Sequence, residues 1–83
     1  MDQSTKQEIN GMVEAIQDMA TREFAESKSS EPFETHVDSG DDHPDRTRLI
    51  AKGVQLGLCD HFRSDRISVE VVETGYFIRI KRD

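Results

Sequence analysis

The chain has 83 residues, a net charge of −6, an apolar fraction of 34% and one cysteine, Cys59. This length bounds it to one small domain, 1–83, with little apolar material to bury, and a lone thiol excludes an intramolecular disulfide as its support. No charged-then-apolar N-terminal segment is present, nor an apolar run near the ~20 residues that cross a bilayer, so a cytoplasmic protein steadied by a second copy of itself is expected.

Residues 4–27 are predicted to form a helix, because Ile9, Met12, Val13, Ile16, Met19, Ala20 and Phe24 recur at three- and four-residue spacing. Ser4 or Thr5, with Gln7 or Glu8, offers a capping box, and Asp18 with Arg22 an i,i+4 ion pair. The apolar stripe has two uses open to it, packing inside the domain or forming a seam between two copies. Residues 32–39 alternate Phe33, Thr35 and Val37 with polar side chains, which predicts a short edge strand. An acidic loop, 40–44, follows, then a second helix over 45–61 with Leu49, Ile50, Val54, Leu58 and Phe62 as its apolar band. Asp41 or Asp42 is placed to cap this helix, Pro44 has the φ of a first turn, and Asp45 suits its positive end. Gly53 and Gly57 would either admit a neighbouring helix closely or stop this one early.

The strongest β signal is the C-terminal hairpin, 66–73 and 76–82. An even-length turn centred on Thr74-Gly75 would set Glu73 against Tyr76, Val71 against Ile78, Val69 against Ile80 and Glu70 against Arg79. One face would then carry Ile67, Val69, Val71, Ile78 and Ile80. The other would carry Phe77, Arg79 and Lys81 beside Ser68, Glu70 and Val72. A hairpin alone is marginal in water, so helices or the 32–39 strand must cover it. The expected fold is therefore a two-layer α+β domain of order α-β-α-β-β.

Charge divides the chain. Residues 1–45 hold twelve acids and three bases, residues 46–83 five acids and eight bases. An acidic half suits a basic protein partner, with Glu31, Glu34, Asp38, Asp41 and Asp42 as candidate contacts; the alternative protein-binding surface is an apolar patch of Val72 and Phe77 on the hairpin. The basic half offers a nucleic-acid alternative through Arg48, Lys52, Phe77, Arg79, Lys81 and Arg82, where an aromatic interleaved with cations would stack bases and neutralise phosphates. A third alternative is a metal-dependent domain, since His36, Asp38, Asp41, Asp42, His43 and Asp45 supply imidazole and carboxylate ligands, although their spacing fits no established pattern. Cys59 and His61 stand two apart, which on a helix directs them to opposite sides, and no third group completes a catalytic set. Cys59 is expected to be a small buried hydrophobe.

The tripeptide His43-Pro44-Asp45 is the one that J-domain co-chaperones carry between two helices, and "HPDRTRLI" resembles a segment of colicin DNase immunity proteins. That second resemblance implies an all-helical inhibitor. Ala51-Lys52-Gly53 replaces its tyrosines and proline, and the chain ends in strands, so neither family is assigned. What the residues themselves imply is a non-enzymatic interaction module, an acidic inhibitor or adaptor, possessing no evident cofactor.

Overall fold

A computed structural model describes residues 3–27, 30–38 and 43–82. Helix α1 spans Gln3–Glu26, strand β1 Phe33–Asp38, helix α2 Pro44–Leu58, strand β2 Ile67–Val72 and strand β3 Gly75–Ile80, with a 3-10 turn at Ser64–Arg66 before β2. The expected α-β-α-β-β order is the observed one. The three strands form an antiparallel sheet of order β1-β3-β2, so the last strand in sequence is the central one. Both helices lie on one face of the sheet. No described helix covers the other face.

Alternation decides which residues go where. On β3, Tyr76, Ile78 and Ile80 point to the helices and are buried, whereas Phe77 and Arg79 point away and are exposed. Ile9, Val13, Ile16 and Ala20 of α1 and Ile50, Ala51, Val54 and Leu58 of α2 complete the core. Each large aliphatic side chain so buried contributes about 1.5–3 kcal/mol. The α1 stripe is thus used inside the domain, though Met19 at its margin stays exposed. Asp18 and Arg22 pair at 3.2 Å as their spacing requires.

Several expected details are corrected. Because α1 begins at Gln3, Ser4 and Thr5 lie within its first turn instead of ahead of it, and Thr5 is buried. The cap of α2 is His43, whose Nδ1 accepts from the Asp45 amide at 3.3 Å; Asp41 and Asp42 lie outside the described residues. Pro44 and Asp45 occupy the first turn of α2, in keeping with the fixed φ of proline and the helix dipole. The helix stops at Leu58, short of 61, because i→i+3 bonds tighten its end: Asp60 and His61 amides donate to Gly57 and Leu58 carbonyls at 3.2 and 2.9 Å. The turn brings Phe62 edge-on to Phe24, their ring centres 6.4 Å apart. Cys59 is exposed at this turn, not buried, and Leu49 is 44% exposed on the outer side of α2, outside the core band.

Gly53 and Gly57 serve close approach. A Cβ on either would stand 2.6 Å from a side-chain carbon of Ile9 or Val13, so α1 packs against bare α2 backbone there. Those two glycines seat the helices against one another.

The hairpin is shifted two residues from its expected register. Val72 faces Gly75, Val71 faces Tyr76, Val69 faces Ile78 and Ile67 faces Ile80, across a turn at Glu73 and Thr74. Both registers keep the same residues on the same face, so alternation cannot choose between them. The observed one wins on burial: it sets Ile67 against Ile80 and brings Tyr76, 2% exposed, into the core, where the expected one left Tyr76 against Glu73. Gly75 takes φ 151°, as the first residue of β3. Glycine is the residue that adopts this without strain.

Candidate interaction face

Three rows of side chains cross the open face. Register places Glu34 of β1, Arg79 of β3 and Ser68 of β2 in one row, His36, Phe77 and Glu70 in the next, and Asp38, Gly75 and Val72 in the third. The first row is tied by an ion pair, with Arg79 Nε and Nη2 both donating to Glu34 Oε1 at 3.0 and 2.8 Å. This replaces the expected Glu70–Arg79 pair, because the register shift moves Ser68 opposite Arg79. At the centre Phe77 is 43% exposed and lies against His36, their ring centres 4.7 Å apart. His36 Nε2 is 3.2 Å from Thr74 Oγ1, which holds the imidazole toward the hairpin turn. A shallow depression beside Phe77 is lined by Glu34, Ser68, Glu70 and Arg79.

The fold therefore joins two candidate groups that are far apart in sequence. Glu34 and Asp38 from the acidic half and Val72 and Phe77 from the hairpin share this one face. Glu31 is exposed just before β1, and Asp41 and Asp42 lie outside the described residues. His36 was singled out from sequence only as a metal ligand. Its parity with Glu34 and Asp38 was the signal that could have placed it on this face.

The nucleic-acid candidates divide between layers, with Phe77 and Arg79 on the open face. Arg48 and Lys52 sit on α2, in the layer behind the sheet, and Arg48 pairs with Asp45 at 3.4 Å. Arg82 donates to the Phe24, Ser27 and Glu31 carbonyls at 3.2, 2.9 and 3.2 Å, and its guanidinium lies 4.9 Å from the centre of the Phe24 ring. A cation at the negative end of a helix is favourable, so Arg82 acts as a clasp between the C-terminus of α1 and the end of β3. Arg66 reinforces it, donating to the Lys81 carbonyl at 2.7 Å and stacking over Phe62. Lys81 is exposed next to this clasp. Among the described residues no three His, Cys, Asp or Glu side chains converge to hold a metal ion, and Cys59 directs its thiol to the Gln55 carbonyl at 3.3 Å.

Behind the sheet, the ionisation of Tyr76 is shifted. Burial, and secondarily the negative charge of Glu8, pushes its phenol up to about 12. Its hydroxyl has no hydrogen-bond partner among the described residues, and Tyr76 lines a small cavity with Glu8, Met12, Val37, Asp38, Thr47 and Ile50.

No described helix is long and apolar enough to cross a membrane. Compared with protein-family models, curated proteins and solved structures, the chain matches none of them.

Proposed function

We propose that the chain is a non-enzymatic interaction module, an acidic inhibitor or adaptor, that binds another protein over the open face of its sheet. The observation that carries this reading is Phe77, held half-exposed at the centre of a face that no helix covers. An aromatic ring at the middle of a polar rim is the arrangement of a binding hot spot. The rim carries three carboxylates, Glu34, which is paired with Arg79, and Asp38 and Glu70 in the rows of Val72 and Phe77. A partner with a basic rim and an apolar centre fits it, and a nucleic-acid-handling enzyme has such a surface. A cytoplasmic setting belongs to the same proposal, since the exposed Cys59 thiol suits a reducing compartment.

Direct nucleic-acid binding has less support. Of its five cations, Arg79 is paired with Glu34, Arg82 is held in the helix clasp, and Arg48 and Lys52 stand on another layer, which leaves Lys81 exposed beside the sheet. Affinity capture from host lysate, with and without nuclease, separates the two readings. A protein partner that survives nuclease, and that binds more weakly and with less salt dependence after charge reversal at Glu31, Glu34, Asp38, Asp41 and Asp42, is the expected result. Capture erased by nuclease, with direct binding of single-stranded oligonucleotide near ~50 mM salt, would overturn it.

A further inference from the structure

Strand β2 is a sheet edge whose free side can be identified group by group. The Lys81 amide donates to the Arg66 carbonyl at 2.8 Å, and these two residues continue the β2–β3 register by one step. Bonded and non-bonded pairs alternate along an antiparallel ladder. Ser68, Glu70 and Val72 therefore bond to β3, and Ile67, Val69 and Val71 direct their amides and carbonyls outward. The Ile67 amide is taken by the Ser64 carbonyl. That leaves the Ile67 carbonyl and both backbone groups of Val69 and Val71 facing the edge.

Little protects this edge. The strand Ile67–Val72 has no proline and no lysine or arginine, and Glu70 is its one charge. Val71 is 41% exposed although it lies on the helix side of the sheet. The opposite edge, β1, is guarded: Pro32 precedes it and Glu34, His36 and Asp38 alternate along it.

We propose that β2 pairs antiparallel with β2 of a second copy about a two-fold axis at Val69, joining two sheets into one of six strands. Each Val69 amide then donates to the carbonyl of Val69 of the partner subunit, and each Val71 amide to the carbonyl of Ile67 of the partner subunit. These bonds use groups the ladder leaves over; the Val71 carbonyl, whose donor in this register would be the Ile67 amide of the partner subunit, is left to water because that amide is held by the Ser64 carbonyl. On the helix side the exposed Val71 is covered by Ile67 of the partner subunit; on the other side Ser68 stands opposite Glu70 of the partner subunit, a donor against a carboxylate. Centring the axis one residue later would set Glu70 against its own copy, like charges directly opposed, which is destabilising. This interface is separate from the open face around Phe77 and goes beyond the function proposed for it.

Sedimentation under reducing conditions, which prevents linkage through Cys59, tests the pairing. The chain should sediment at twice its 9.5 kDa mass at about 100 μM, as two-fold dimers of small domains do. Val69→Pro removes an outward amide without touching the β3 ladder, and edge strands tolerate proline. Val71→Lys puts a charge on an exposed edge side chain and serves if the proline variant does not fold. Each should weaken association at least about tenfold with unchanged circular dichroism. A wild-type chain that stays monomeric, or folded variants that dimerise as tightly as wild type, would overturn the proposal.

Discussion

The two faces of strand β3 differ by a single step along the chain. Tyr76, Ile78 and Ile80 meet α1 and α2 and are almost wholly removed from water, whereas Phe77 and Arg79, interleaved with them, meet no helix. The same strand thus separates stability from availability by parity. Residues on the helix side are fixed by packing, and those on the other side are free to be chosen for a partner.

The sharpest way to break this comparison is truncation on each face in turn. Ile78→Ala, at a fully buried position, should cost about 2–5 kcal/mol in denaturant unfolding. Phe77→Ser should cost less than about 1 kcal/mol. Equal losses would mean that the open face is not open.

Alkaline pH probes the helix side through Tyr76. The folded chain holds the phenolic proton to about 12, while the unfolded chain releases it near the ordinary value of 10.0, so folding binds a proton in between. The stability this contributes is full below pH 10 and is lost as pH rises from about 10 toward 12, on the order of 3 kcal/mol. Tyr76→Phe retains every other titrating group and should lack this component. Unfolding curves of both proteins across that window check it, and parallel pH dependence would contradict the burial of Tyr76.

The glycines give the smallest effects and opposite signs. Gly57→Ala forces a Cβ to 2.6 Å from Val13 Cγ2, and overpacking of about 1–3 kcal/mol should outweigh a helix-propensity gain of about 1 kcal/mol. At Gly11 an added Cβ meets nothing within 4 Å, so Gly11→Ala should raise stability by up to about 1 kcal/mol. Thermal melts of the two variants should move in opposite directions.

What could be read from sequence follows the same physical division. The period of α1 and the alternation of the hairpin are local patterns, and both elements form where Ile9, Val13 and Ile16 or Val69, Ile78 and Ile80 require them. The faces of β2 and β3 were legible for that reason. Register was not, since a two-residue slip preserves parity and only the burial of Tyr76 and Ile67 distinguishes the alternatives. Nor was the pairing of Glu34 with Arg79, which depends on β1 docking beside β3 across 45 positions of sequence. The clasp at Arg82 was hidden likewise: a basic C-terminus reads as a charged patch until the end of α1 is brought against it.

The central claim is that the open face binds and the covered face stabilises. Its most direct measurement is the Phe77→Ser chain taken through a thermal melt and through capture of the wild-type chain's protein partner. The expected result is a melting temperature within about 4 °C of wild type together with a loss of at least about tenfold in partner affinity. A folded Phe77→Ser chain that captures the partner as tightly as wild type would contradict the account.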